Sequence, residues 1–189
     1  MKIFSLSLAV CLLLGGGIRL KASSILTNGG FETGNLNGWT ASGDVCCTFV
    51  SSSFRGFTPH TGNDFVVIGP FGIGYLDQLA TTIDGDSYTL SYVMGNIASP
   101  NLFETTVGGN TVFNQSNVPD QNWTSYSFTF IAVGTSTDVQ FKFTNPINMF
   151  ALDDVSLVDN GPATPEPGTA APAIFGVCLM LTLRQKNQA

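Results

Sequence analysis

A single histidine, His60, serves the whole 189-residue chain, and it sits in the turn-forming stretch Thr58-Pro59-His60-Thr61-Gly62. Its Pro and Gly neighbours mark it as a turn residue, with no second histidine to share a metal or relay a proton. Neither a Gly-x-Ser-x-Gly elbow nor a His-Glu-x-x-His helix is present, so nucleophilic and zinc-dependent hydrolysis have no carrier. Asp84 and Asp86 bracket Gly85 in a tight turn, and no nucleophile converges with a base elsewhere. The sequence reads as non-catalytic.

Basic residues are nearly as scarce. Of seven Lys and Arg, five (Lys2, Arg19, Lys21, Arg184, Lys186) flank two terminal apolar runs, leaving Arg55 and Lys142 between Ser24 and Asn160. Twelve of the thirteen acids lie in that interval, two bases against twelve acids, for a net charge of −10. Such a surface repels phosphates and excludes nucleic acid as a partner. It suits an exported domain or one whose carboxylates hold a divalent cation.

Cysteine is also sparse. Cys11 and Cys178 belong to the terminal runs, so the interior keeps only the adjacent Cys46 and Cys47. Neighbouring Cα atoms lie ~3.8 Å apart, below the usual disulfide range. A strained vicinal disulfide, free thiols and links between molecules are the three outcomes.

The two ends read as addresses. Residues 1–23 carry Lys2, a 15-residue apolar stretch from Ile3 to Gly17 and a small-residue exit at Ala22-Ser23-Ser24, the pattern of a secretory signal peptide. An uncleaved anchor is the alternative, although the run is shorter than the ~20 residues of a span. At the other end a Pro-rich linker, 161–167, leads into Pro165-Glu166-Pro167, then an apolar segment within 168–183, then Arg184 and Lys186. This order over residues 164–189 resembles the PEP-CTERM sorting signal of Gram-negative bacteria. The resemblance implies export across the inner membrane, a transient membrane anchor through the short apolar helix, and processing by an exosortase at the cell surface.

Between Ser24 and Asn160 lies one domain's length of chain. Period-two alternation recurs in Phe65–Ile68, Ser87–Met94, Phe103–Val107, Thr111–Phe113, Ser125–Ala132, Asp138–Phe143 and Phe150–Val158, bounded by Gly, Asn, Asp or Pro. No comparable run has helical periodicity. Gly108-Gly109-Asn110 is a hairpin loop, because Gly and Asn accept positive φ cheaply. These features predict an all-β antiparallel sandwich or jelly roll.

Asn28-Gly29-Gly30-Phe31-Glu32 followed by Gly38-Trp39 opens the interior, and Phe150-Ala151-Leu152-Asp153-Asp154-Val155 closes it. Tyr75-Leu76-Asp77-Gln78, Tyr88-Thr89-Leu90-Ser91-Tyr92 and Trp123-Thr124-Ser125-Tyr126 lie between. The series resembles the galactose-binding-domain-like jelly rolls, which include carbohydrate-binding modules. That resemblance implies a structural calcium ion held by Glu32 and Asp153 at one edge of the sandwich. Two acids brought together on a polar edge repel unless a cation intervenes, and calcium wants six to eight hard oxygens. The alternative is that both are turn or edge carboxylates bound to backbone amides. Asp154, the next residue along the strand, is expected on the opposite face.

Trp39 and Trp123 are expected in the core, as large aromatics in a sandwich usually are. Phe54, Phe57, Phe71 and Tyr75, within or beside the Gly- and Ser-rich stretch 51–74, are the better candidates for exposed aromatics, on a loop folded over the sandwich. The leading function, implied by the PEP-CTERM resemblance, is a structural or adhesive component of an exopolysaccharide layer. A true carbohydrate-binding module with a polysaccharide partner is the alternative from another class. A third, ice or surface binding, would need flat Thr arrays where Thr81-Thr82 and Thr105-Thr106 are isolated pairs.

Overall fold

Tyr88, Leu90, Tyr92 and Met94 alternate along β5 (Asp86–Ile97) and are all buried, which fixes one face of that strand as core. Its neighbour β8 (Gln121–Ile131) sets Phe130, Phe128 and Tyr126 directly opposite Tyr88, Leu90 and Tyr92. From the facing sheet, β9 (Ser136–Thr144) contributes Val139, Phe141 and Phe143. The Tyr92 ring stands edge-on to Phe141 with centroids 5.1 Å apart, and its hydroxyl meets Thr105 Oγ1 at 2.8 Å. A buried tyrosine thus keeps a polar partner while its ring fills the core.

The computed structural model describes residues 23–163. The leader up to residue 22 and the Pro-Glu-Pro triplet with its apolar segment lie outside the described residues. The remaining strands are β1 (Thr40–Gly43), β2 (Thr48–Ser51), β3 (Phe65–Ile68), β4 (Gly74–Thr81), β6 (Leu102–Val107), β7 (Asn110–Ser116) and β10 (Met149–Pro162). The first sheet has the order β1-β4-β9-β6-β7 and the second β2-β3-β10-β5-β8, with every pairing antiparallel. No helix occurs among the described residues. The expected all-β sandwich is therefore the observed architecture. The last strand pairs Gly161 with Ser87 and Pro162 with Asp86, so it runs two residues into the segment read as linker.

Three strands escaped the alternation rule. The four-residue edges β1 and β2 are too short to show a period. In β4 the rule is broken on both faces: Gln78 points inward and Leu79, 69% exposed, points outward. Gln78 is tolerated inside because its Oε1 accepts from Thr27 N at 2.7 Å and its Nε2 donates to Thr27 O at 2.9 Å. Its amide imitates a strand partner for the opening segment.

The opening and closing motifs meet through Gly29. A Cβ there would overlap the Val155 carbonyl, and the close approach lets Val155 N donate to Gly29 O at 2.9 Å. Phe31 and Trp39 then enter the core with centroids 5.8 Å apart, and Trp39 Nε1 donates to Asn28 O at 3.1 Å.

Strand β3 is buried on both faces. Val66 and Ile68 join the main core, while Phe65 and Val67 form a second cluster with Met149 and Ala151 on the outer side. The segment between β2 and β3 folds over that side and lays Phe54 and Phe57 on it, beside Trp123. The loop expected to fold onto the sandwich does so, and it covers one part of the second sheet.

Candidate functional site

The acidic edge comes first, because the sequence points there. Glu32 is exposed, and its carboxylate accepts from Asn63 N, at 3.0 Å to Oε1 and 2.9 Å to Oε2, and from Asp64 N at 3.1 Å. These amides hold its pKa below the usual carboxylate range. Asp153 is fully buried, and its Oδ2 accepts from His60 N at 2.9 Å while Oδ1 accepts from Asp154 N at 2.7 Å. Burial pushes its pKa up to about 6.

Backbone N–H donors bind both carboxylates, the Asp154 charge acts on each of them, and no group of three or more His, Cys, Asp or Glu converges among the described residues. Each carboxylate already has hydrogen-bond partners, so the arrangement closes without a cation. The geometry serves the hydrogen-bonded alternative, with Glu32 and Asp153 clamping the segment from residue 60 to 64.

Asp154 departs from the expected opposite face. A register shift between Asp153 and Ser156 and a φ of +52° at Asp154 mark a bulge, and the alternation lapses there. Its Oδ2 lies 2.6 Å from His60 Nδ1 and its Oδ1 accepts from the Thr61 hydroxyl. His60 is thus a loop anchor.

Trp39 is in the core as expected, but Trp123 is not in the main one. It precedes Tyr126 by three residues and so faces outward, half-buried in the second cluster. Phe57 and Phe65 meet it edge to face at 5.3 and 5.7 Å, and its Nε1 donates to Thr58 O at 3.0 Å. Phe71 is 70% exposed, Phe54 and Phe57 are half-buried, and so is Tyr75. Thr82 and Thr105 are buried, so the two Thr pairs form no surface array. Cys46 and Cys47 are exposed free thiols with Sγ atoms 2.8 Å apart, and Cys47 has a φ of +65°.

The outer side of the first sheet carries mostly polar side chains. Cross-strand register lines up Ser42, Tyr75, Lys142, Glu104 and Asn114 across all five strands. A second row runs Thr40, Asp77, Gln140, Thr106 and Thr111. Glu104 Oε2 accepts from Asn114 Nδ2 at 2.9 Å and from Lys142 Nζ at 3.3 Å, which fixes the middle of the first row. Tyr75 Oη, the Gln140 amide and the Asp77 carboxylate make no hydrogen bond among the described residues, so their capacity is free for a ligand. Burial raises the Asp77 pKa, and burial together with the Asp77 charge raises that of Asp138 on the adjoining strand.

Of these residues only Tyr75 stands out in sequence. The others occupy the polar positions of alternating strands, a pattern that marks them as outward-facing. Which of them share a row depends on pairing between distant strands, which sequence spacing does not reveal.

Two five-stranded antiparallel sheets packed face to face define the class as a β-sandwich module of the jelly-roll type. The family comparison agrees: residues 23–148 match the model described as "Carbohydrate binding domain", and the chain belongs to that family. Among solved structures, TmCBM61 in complex with β-1,4-galactotriose is similar at 21% identity and a TM-score of 0.60, covering 72% of this chain and 99% of that one. The CBM22-1 xylan-binding domain from Paenibacillus barcinonensis Xyn10C matches at 20% identity and a TM-score of 0.55, covering 77% and 99%. At such identities these structures speak for the fold. Comparison with curated proteins returned no match.

Proposed function

We propose that the chain is a non-catalytic carbohydrate-binding module that holds a neutral polysaccharide along the open face of the first sheet. The row Ser42–Tyr75–Lys142–Glu104–Asn114 carries this reading. An aromatic ring suits the C–H face of a pyranose, and ammonium, carboxylate and amide groups suit its hydroxyls. Five strands at ~4.8 Å spacing make a strip of ~19 Å, room for an oligosaccharide stretch and not just one ring. The galactotriose in TmCBM61 and the xylan bound by the Paenibacillus domain support a neutral ligand. Residues 23–163 should sediment saturably with insoluble galactan or xylan, and Tyr75→Ala should abolish this with the melting midpoint retained. Retention of binding by Tyr75→Ala would move the site elsewhere.

The terminal segments support a wider setting for the module. We infer export through the leader and exosortase-dependent sorting through Pro165-Glu166-Pro167, which would deliver the domain to the cell surface as an adhesive of the polysaccharide layer. The mass of the mature protein tests this: a C-terminus near Pro167 supports sorting, and one at Ala189 opposes it.

A further inference from the structure

We propose that a second saccharide site lies on the opposite side of the sandwich, in the cavity beside the turn Phe54-Arg55-Gly56-Phe57, and that it takes one neutral sugar unit presenting adjacent hydroxyls. The cavity is about 360 Å³, within the range of small-ligand pockets, and it opens over the ends of β5 and β8. Its lining includes Arg55, Phe57, Asp120, Gln121 and Asn122. Phe57 belongs to the cluster outside the second sheet, whereas Tyr75 stands on β4 of the first.

The turn is built to present Arg55. Phe54 and Phe57 exchange backbone hydrogen bonds of 3.0 and 2.9 Å around a two-residue loop, with φ of +47° at Arg55 and +90° at Gly56. Such loops favour Asn or Gly at the first position, so an arginine held left-handed there is unusual. A non-glycine residue in that region often marks a functional position. Phe57 is seated by Gly95, where a Cβ would collide with its ring, and Trp123 braces it from the side.

The polar groups divide into framework and free. Asn96, also in the lining, is buried and spends its Nδ2 on the Val118 and Pro119 carbonyls. Gln121 Nε2 donates to Met94 O and to the Tyr126 hydroxyl. Asp120 uses Oδ1 on Ala98 N at 2.6 Å and keeps Oδ2. Among the described residues Arg55 is in no ion pair, its guanidinium lying 5.6 Å from the Phe54 ring centroid, and the Asn122 side chain makes no hydrogen bond.

A guanidinium donor, a carboxylate acceptor and an amide offering both therefore line one cavity against an aromatic wall. That set matches the alternating donors and acceptors of neighbouring sugar hydroxyls. One cation beside one anion leaves no net charge to attract a uronic acid or an ammonium. Two sites on opposite faces would let a single domain join two glycan strands. The proposal goes beyond the first-sheet site and stands independently of it.

Isothermal titration of the full chain with β-1,4-galactotriose and with xylotriose tests it. The expected result is two molecules bound per chain with one of these sugars. Arg55→Ala with Asn122→Ala should weaken one site at least tenfold, and Asp120→Asn, which keeps an acceptor for Ala98, should weaken the same site. Tyr75→Ala should remove only the other. One molecule per chain, lost in Tyr75→Ala and unchanged in the Arg55 and Asp120 variants, overturns the second site and leaves the first. One molecule lost only in the Arg55 and Asp120 variants supports the cavity and overturns the sheet-face reading. No binding of either sugar overturns both.

Discussion

Asp153 and Asp154 are neighbours in sequence, and from a bulge in β10 both carboxylates grip the same two loop residues, His60 and Thr61. The buried one binds the loop backbone and the half-buried one binds its side chains. This grip holds the covering segment over Phe65 and Trp123.

It also gives stability a sign with respect to pH. Asp153 has a folded pKa raised to about 6 by burial, against an ordinary value near 3.8. Between those values the folded chain keeps a proton that the unfolded chain has lost, so this group makes stability fall as pH rises through that window. Two pH units correspond to about 3 kcal/mol as an upper bound. Urea midpoints should therefore be higher at pH 5 than at pH 7.5, and Asp153→Asn should flatten the difference. An equal midpoint in the wild type at both values would refute the assignment. As pH falls through the carboxylate range Glu32 acts in the other sense, since its lowered pKa contributes stability that is lost on protonation.

Gly29 and Gly30 should behave unlike each other despite their adjacency. A methyl at Gly29 meets the Val155 carbonyl and must push the opening segment off β10, a cost of about 3 kcal/mol. At Gly30 the nearest neighbour is Glu32 Cγ at 3.6 Å, ordinary contact, and Gly30→Ala should stay within about 0.5 kcal/mol. Thermal melts of the two variants check this; similar losses would contradict the close approach at Gly29.

The sequence made the sandwich readable wherever each face of a strand had one character. Ser87–Tyr92 and Asp138–Phe143 show a clean alternation because one side packs and the other is polar. It failed at β4, where Gln78 finds backbone partners inside and Leu79 lies outside, and at Asp154, where a bulge breaks the period. Trp123 has core-facing neighbours in sequence, yet three residues before Tyr126 is an outward position, and it packs on the second cluster. Tyr75 was legible as a surface-aromatic candidate, and its ring is half-buried. Its companions Lys142, Glu104 and Asn114 were not, because pairing across β4, β9, β6 and β7 puts them in line.

Cys46 and Cys47 should close a vicinal ring on oxidation. Asp44 Oδ1 accepts from Cys46 N at 3.1 Å, Thr48 N donates to Val45 O at 3.3 Å, and the turn so formed brings the two sulfurs into contact. That contact raises the Cys46 thiol pKa above its usual value, so the thiolate is scarce at neutral pH and the reaction is slow. Exposure to dissolved oxygen should remove two hydrogens per monomer, visible by mass spectrometry without reductant and reversed by dithiothreitol. Disulfide-linked dimers in place of the lighter monomer would count against the ring.

For calcium, the family resemblance and the hydrogen-bonded loop edge make different predictions, and one melt separates them. If Glu32 and Asp153 close the loop edge through amides alone, EGTA leaves the midpoint unchanged and added calcium does not raise it. Glu32→Gln should then lower the midpoint modestly, because an amide oxygen still accepts from Asn63 N and Asp64 N while the charge that strengthened those bonds is gone. A resident ion would behave differently. Ligand binding to the folded state adds RT ln(1 + [L]/Kd), so chelation would lower the midpoint by several degrees, and Glu32→Gln would abolish that response. The hydrogen-bonded arrangement predicts the first outcome, because backbone N–H donors already satisfy both carboxylates without an ion.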